Sequence, residues 1–185
     1  MRRWVPLVLL SVFGCNRGLQ GAYDRLPPEG ARLPPFEFPS LDGTTLTSSA
    51  LTGRPVVLAL WSTTCGASRQ ALAAILTLRA EYEPRGIDVI LVADDRDPST
   101  VTDVLSSVEG QVPTVLASGA IARVFGQTSR WPWQGLALPS FLVLDANGVV
   151  RRRVVGVEAD STKRLDRVRH AVDALAGGRT DPPAA

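Results

Sequence analysis

The stretch that decides the fold is residues 56–68, VVLALW followed by STTCGAS. Its first half, Val56–Trp61, is an unbroken apolar run of strand length, and such continuous apolarity indicates a strand that is covered on both faces. Its second half carries Cys65 and leads into apolar residues at helical spacing, which continue to about Glu83. The stretch therefore predicts a buried strand, a short turn that carries a cysteine, and a long helix.

Similar signals on either side predict alternating strands and helices. A hairpin is expected where 36–38 and 44–46 flank a turn at Asp42-Gly43. A second buried strand is expected at 87–92, and Asp97 followed by Pro98 predicts the start of a helix that runs to about Val108. The other predicted elements are a strand at 113–117, a short helix at 120–125, two strands at 140–144 and 149–155 around an Asn147-Gly148 turn, and a helix capped by Asp160 or Ser161. This order predicts an α/β fold, a mixed central sheet with helices on both faces.

The amino terminus, MRRWVPLVLLSVFG, has the features of a secretory signal peptide. Two arginines precede the apolar run Trp4–Phe13, which is shorter than the roughly 20 residues needed to span a bilayer. Residues 10–15, LSVFGC, resemble a bacterial lipobox, in which the cysteine is acylated and becomes the new amino terminus. The resemblance implies lipidation of Cys15, and a plain signal peptide with Cys15 as a bystander is the alternative.

The chain is expected to comprise four parts. They are a signal peptide at 1–14, a lipidated cysteine and flexible Gly/Pro/Arg-rich tether at 15–35, a globular domain at 36–176 and a disordered tail at 177–185. Acyl chains on Cys15 would hold the domain at a membrane. The expected location is therefore the bacterial cell envelope, outside the cytoplasm and attached through lipid.

The composition excludes several classes of function. Twenty Lys+Arg residues against 18 Asp+Glu residues leave a net charge of +2, too balanced for an electrostatic nucleic-acid footprint. Two cysteines and one histidine, His170, supply neither a Cys/His zinc site of the usual ligand count nor a disulfide framework. No metal or other cofactor is expected. His170 is expected on the surface, and residues 94–97 are expected to form a solvated turn and a helix cap.

Two motifs carry a resemblance to a known fold family. Trp61-x-x-Thr64-Cys65-x-x-Ser68 resembles the active-site segment of thioredoxin, with a serine in place of the second cysteine. Residues 138–148, LPSFLVLDANG, are similar to the cis-proline strand and hairpin of that fold. The extra elements at 97–126 and the motif at 39–46 are similar to the TlpA/ResA branch of extracytoplasmic thioredoxin-like proteins. The resemblance covers about residues 33–176 and implies a thioredoxin-like fold with the TlpA/ResA insertion and N-terminal hairpin.

Cys65 is the candidate nucleophile. The predicted start of a helix at this position favours its thiolate through backbone N–H groups and the helix dipole. Ser68, three residues later, is placed to donate its hydroxyl to the sulfur, and Arg69 adds positive charge if it faces the site. The pKa of Cys65 is therefore expected below the free value of about 8.5. The resemblance adds Pro139, in a cis bond to Leu138 and close to Cys65, as the third site residue.

The sequence also departs from the dithiol pattern. A dithiol exchanger resolves its mixed disulfide with a second thiol, and once Cys15 is lipidated the mature chain has none besides Cys65. The position of thioredoxin's buried acid, six residues before the cysteine, is Ala59. Thr64 stands where the family often has Trp. The resemblance thus transfers a fold and a nucleophile but not the full catalytic set.

Three functions are compatible with these residues. The first is a monothiol thiol-disulfide oxidoreductase whose partner is a protein or small-molecule thiol or disulfide. The second is a non-catalytic binding module that uses the cis-proline groove. The third is a one-cysteine peroxidase acting through a sulfenic acid, although Leu58 and Ser62 break the peroxiredoxin spacing. Trp61 is expected in the core. Residues 131–133, WPW, are expected to cover the sheet, with the lining of a groove as the alternative. The sequence gives no indication of oligomeric state.

Overall fold

A computed structural model of the chain describes residues 26–126, 136–155 and 161–176. The predicted signal peptide, Cys15, most of the tether, the WPW segment at 131–133 and the tail lie outside the described residues. Where helices are described, none is both long and apolar enough to cross a membrane.

The described chain forms a two-stranded hairpin, a five-stranded sheet and four α-helices. The elements are β1 (Glu37–Pro39), β2 (Thr45–Thr47), β3 (Val56–Trp61), α1 (Gly66–Tyr82), β4 (Asp88–Ala93), α2 (Pro98–Ser106), β5 (Thr114–Leu116), α3 (Ile121–Val124), β6 (Ser140–Leu144), β7 (Val150–Val154) and α4 (Ser161–Ala176). The strand order is β5-β4-β3-β6-β7. Strands β3, β4 and β5 are parallel, whereas β6 is antiparallel to β3 and β7 is antiparallel to β6. Short 3-10 turns at Ser48–Ala50 and Glu83–Arg85 follow β2 and α1.

Strand β3 lies at the centre of the sheet and is buried along its whole length. Its alternate side chains point to opposite faces. Val57, Ala59 and Trp61 join a core with the apolar sides of α1 and α4. Val56, Leu58 and Leu60 join a second core with the N-terminal hairpin and α3. Helices on both faces confirm the predicted layering, since the continuous apolar run reflects two buried faces.

The N-terminal hairpin is held against the second face by aromatic packing. The rings of Phe36 and Phe38 are stacked with their centroids 4.7 Å apart. Phe125, directly after α3, meets Phe36 edge-on at 5.4 Å. Each such pair contributes about 0.5–1.5 kcal/mol beyond its buried area. The hairpin predicted around Asp42-Gly43 is therefore confirmed, and it is an integral part of the core.

The topology brings three separate segments to one edge of the sheet. Because β3 and β4 are parallel, the loops that follow them leave from the same edge, and Asp94 N–H donates to the Trp61 carbonyl across 2.8 Å. Strand β6 is antiparallel to β3 and starts at this edge, where Ser140 pairs with Leu60. The residues after β3, after β4 and before β6 are consequently neighbours. This edge carries the cysteine.

Candidate functional site

Cys65 lies where the sequence places it, at the N-cap of α1. Its backbone is extended, with φ −90° and ψ 115°, and the helix begins at the next residue. The Cys65 N–H donates to the Ser62 carbonyl at 3.3 Å, and its own carbonyl accepts from Arg69 N–H at 3.1 Å. The side chain is half-buried, and the thiol is free. The sulfur is thus accessible and sits at the positive end of a helix.

The sulfur faces the strand that begins with the predicted cis-proline motif. The Cys65 thiol donates to the Leu138 carbonyl, with 3.4 Å between Sγ and oxygen. The peptide bond between Leu138 and Pro139 is cis. Pro139 is buried, and Leu138 is half-buried. The structure therefore brings together two motifs that lie 73 residues apart in the chain.

The surroundings of Cys65 favour its thiolate. Burial is the largest single influence and raises the pKa of Cys65, because a charged sulfur loses contact with water. The Ser68 hydroxyl, the backbone N–H groups of Ser68 and Ala67, and the charge of Arg69 act in the opposite direction. Together they outweigh burial, so the pKa of Cys65 lies below its usual value of 9.0. The direction agrees with that expected from a helix N-terminus.

Ser68 is fully buried beside the sulfur. Its hydroxyl makes no hydrogen bond of normal geometry to any described residue, although it is the strongest of the influences that lower the pKa of Cys65. The two findings agree if the hydroxyl dipole stabilises the ionised sulfur, since only a preference for the thiolate over the thiol lowers the pKa of Cys65. A buried hydroxyl without a partner costs about 1–3 kcal/mol. Ionised sulfur would supply the missing acceptor.

The Trp61 indole holds the first turn of α1 in place through a hydrogen bond. The indole is completely buried, which confirms its expected place in the core. Its Nε1–H donates to the Ser68 carbonyl across 2.7 Å. The end of β3 is thereby tied directly to the turn of helix that carries the N–H groups facing Cys65.

The loop between β3 and α1 is held by Asp95, a residue that the sequence interpretation missed. The expectation of a solvated turn at 94–97 is wrong for Asp95, which is only 8% exposed. Its carboxylate accepts from the Thr63 N–H at 3.0 Å, from the Thr63 hydroxyl at 2.5 Å and from the Ser62 hydroxyl at 3.4 Å. One signal was available, because Asp95 follows a strand parallel to β3 and neighbouring parallel strands end at the same edge.

The helix cap expected in the same segment is confirmed. Asp97 accepts from the Ser99 N–H at 3.0 Å, and Pro98 occupies the first helical position of α2. Hydrogen bonds from the hydroxyls of Thr100 and Ser99 lower the pKa of Asp97 to about 2. This carboxylate is therefore a structural cap, outside the site around Cys65.

Other predicted features are accounted for away from the sulfur. His170 is exposed on α4, as expected. Ala59 is completely buried and pairs with Leu91 and Phe141, so no carboxylate lies at the position of thioredoxin's buried acid. Within the described ranges, no three His, Cys, Asp or Glu residues are grouped as a metal site. The chemistry that the arrangement supports is that of a single activated thiol.

Comparison with known proteins agrees with the resemblance to thioredoxin-like proteins that the sequence motifs show. The Redoxin family profile matches residues 28–169. The thiol-disulfide oxidoreductase ResA of Bacillus cereus is 23% identical over 127 residues, which is 69% of each chain.

Solved structures share the fold. A Chlorobium tepidum protein assigned as a DsbE thiol:disulfide interchange protein superposes with a TM-score of 0.64 at 21% identity, covering 81% of this chain and 99% of its own. A secreted disulfide oxidoreductase of Mycobacterium tuberculosis, homologous to E. coli DsbE, has a TM-score of 0.57 at 20% identity, covering 76% and 96%. The family match, the mixed sheet and the position of the cysteine motif agree, and the chain is a member of the Redoxin family with a TlpA/ResA-like thioredoxin fold.

Proposed function

We propose that this chain is a membrane-anchored, extracytoplasmic thiol-disulfide oxidoreductase that works with one thiol, through a mixed disulfide at Cys65. The observation that carries the proposal is the half-buried Cys65 sulfur at the N-terminus of α1, with its pKa lowered and its thiol 3.4 Å from the Leu138 carbonyl. The thiolate is the nucleophile in disulfide exchange. A lone cysteine held in this way is suited to attack a disulfide.

The exchange takes place in two steps. The Cys65 thiolate attacks one sulfur of a partner disulfide, so that a mixed disulfide forms and the other partner sulfur leaves as a thiolate. An external thiolate then attacks the mixed disulfide: attack on the partner sulfur releases the Cys65 thiolate, whereas attack on the Cys65 sulfur releases the partner thiolate and leaves the external thiol bonded to Cys65. Ser68 occupies the position of a resolving cysteine but has only a hydroxyl. The mixed disulfide is therefore expected to persist until an external thiol arrives.

The segment before β6 is the part of the described structure that meets the sulfur. Leu136, Ala137 and Leu138 are half-buried against the second core and lead into Pro139, and the Leu138 carbonyl accepts from the Cys65 thiol. The two described cavities, of about 410 and 430 Å³, lie elsewhere and do not include Cys65. The expected partner, a protein or small-molecule thiol or disulfide, is supported by the family match.

Three features support an envelope location and a lipid anchor. The first residues read as a signal peptide, LSVFGC at 10–15 resembles a lipobox, and the Mycobacterium tuberculosis structure is of a secreted protein. Lipidation of Cys15 would also remove the second thiol from the mature chain. The anchor and the monothiol mechanism are thus parts of one proposal.

The test uses the lipidated full chain in detergent, reduced and then mixed with glutathione disulfide. Acid-quenched samples are measured by mass spectrometry. We expect one glutathione per chain, attached at Cys65 and stable until free thiol is added. Ser68→Cys supplies a resolving thiol, so its adduct should release glutathione and close an internal disulfide. Cys65→Ala is the control and should form no adduct.

Two results would overturn the proposal in different ways. If native protein forms no adduct at any pH, the non-catalytic binding module becomes the better description. If it forms no adduct but consumes peroxide catalytically in the presence of thiol, a one-cysteine peroxidase is indicated.

A further inference from the structure

We propose that Asp95 is a positioning residue for Cys65. Asp95 and Arg69 both bind Thr63, and in this way they hold Cys65 at the N-terminus of α1. The inference rests on the proposed role of Cys65 and adds to it the residue that sets the geometry of the sulfur. Asp95 comes from the loop after β4, 32 residues from Thr63 in sequence. It belongs to neither of the motifs that define the site.

Thr63 is held on both sides of its backbone. Its N–H and its hydroxyl donate to the Asp95 carboxylate, at 3.0 Å and 2.5 Å. Its carbonyl accepts from Arg69 Nη1 at 2.5 Å. Both peptide planes next to Thr63 are therefore held, one by the loop after β4 and the other by the first turn of α1.

The contacts that hold Thr63 also restrict the position of the Cys65 sulfur, because the two residues are close in the chain. A single exposed residue, Thr64, separates Thr63 from Cys65. The orientation of the Thr63 peptide therefore sets the direction in which the chain enters α1. That direction decides whether the sulfur meets the N–H groups of Ala67 and Ser68 and the carbonyl of Leu138. If Thr63 were not held, α1 would still form, but the Cys65 sulfur could move away from the N-terminus of the helix.

The chemistry of Asp95 indicates more than packing. Among the described residues, this buried carboxylate forms no ion pair, and its charge is compensated by hydroxyl and N–H donors from the cysteine loop. Burying a charge is costly unless hydrogen bonds satisfy it. Hydrogen bonds to a charged acceptor are about twice as strong as neutral ones. Because all of these donors belong to the cysteine loop, the hydrogen bonds that satisfy Asp95 also restrain the loop in front of Cys65.

The neighbouring carboxylate supplies a matched control. Asp94 is half-buried at the same end of β4, but its Oδ1 accepts from the Ile121 N–H at 3.0 Å, at the start of α3. Two adjacent aspartates thus hold two different loops. Only the loop held by Asp95 carries the cysteine.

The experiment measures the rate of Cys65 alkylation by iodoacetamide against pH in the lipidated full chain. Ultraviolet absorption of the thiolate gives the same titration independently of reactivity. The variants are Asp95→Ala, Asp95→Asn, Asp94→Asn, and the pair Thr63→Val and Thr63→Ser. The melting temperature of each variant is recorded.

We expect Asp95→Ala and Thr63→Val to move the titration midpoint upward, toward the usual cysteine value. Alkylation at neutral pH would then slow, by at most about tenfold where the midpoint rises by one pH unit, because a smaller fraction of Cys65 is ionised. Thr63→Ser keeps the hydroxyl and should retain the native profile, as should Asp94→Asn. Asp95→Asn keeps one acceptor oxygen and should fall between the native chain and Asp95→Ala.

Two outcomes would overturn the positioning role. If the melting temperature falls while the midpoint stays unchanged, Asp95 is only structural. If the midpoint falls, its negative charge acts directly on the sulfur and positioning is not the dominant effect. Failure of the proposed function is a separate result, because Cys65 would then titrate but form no mixed disulfide with glutathione.

Discussion

Ser68 is the residue whose chemistry differs most between the two states of Cys65. Its hydroxyl is buried and has no hydrogen-bond partner among the described residues, and it lowers the pKa of Cys65. The same group therefore costs stability when the sulfur is protonated and contributes stability when the sulfur is ionised. Because the folded pKa of Cys65 is depressed, the folded state gains stability as the pH rises from that pKa toward 9.0. The gain is lost as the pH falls through the folded pKa.

Ser68→Ala should separate these two effects. We expect the pKa of Cys65 to rise, so that alkylation at neutral pH slows, whereas the protonated protein becomes more stable by about 1 kcal/mol because an unpaired hydroxyl is removed. The rise of stability with pH should flatten. Thermal unfolding and alkylation at several pH values measure both effects.

The control is Thr77→Ala, which removes an exposed hydroxyl from the same helix, where it donates to the Ala73 carbonyl. It should leave the titration of Cys65 unchanged. An unaltered midpoint in Ser68→Ala would remove Ser68 from the account of thiol acidity.

At the scale of elements, the site consists of a strand, a loop and a helix. The end of the strand is hydrogen-bonded to the first turn of the helix. Strand β3 ends at Trp61, whose indole holds the first turn of α1 through the Ser68 carbonyl. The bounds of β3 are those predicted, Val56–Trp61, because a local run of apolar residues between Pro55 and Ser62 specifies them. Local signals also placed Asp97 at the N-cap of α2.

The loop chemistry could not be predicted in the same way. The burial of Asp95 depends on the register of β3 against β4, where Trp61 pairs with Ala93. The acidic run 94–97 looks solvated when only local composition is considered, yet Asp95 is buried against the cysteine loop through Thr63 and Ser62. Sequence patterns specify which segments are strands and helices. Contacts between loops at the edge of a sheet can be predicted only when the pairing of the strands is known.

At the scale of the whole molecule, the topology gathers the site from three distant segments. The cysteine loop, the loop after β4 and the residues before β6 meet only because β4 and β6 flank the same central strand. Periodicity indicated a mixed sheet with helices on both faces, but not this strand order. The expectation that Pro139 lies near Cys65 came from the resemblance to thioredoxin and not from spacing.

The proposed anchor is tested on the complete chain in its native envelope. Cys15→Ser removes the lipidated residue, and we expect the variant to leave the membrane fraction as a soluble form or to remain an unprocessed precursor. Cys65→Ser, which leaves the lipobox intact, should stay with the membrane and serves as the control. If a Cys15→Ser chain from which the signal peptide has been removed stays in membranes after a high-salt wash, another part of the chain holds it there and the lipid anchor is contradicted.

The most direct test of the monothiol mechanism is to trap the mixed disulfide that Cys65 forms with its partner. Cells that carry the native chain are quenched in acid, free thiols are blocked, and disulfide-linked species are separated without reductant and identified by mass spectrometry. We predict adducts joined through Cys65 that disappear on reduction and are absent from Cys65→Ala. A chain whose Cys65 is recovered entirely as a blocked free thiol, even after the cells meet a thiol oxidant, would contradict the mechanism.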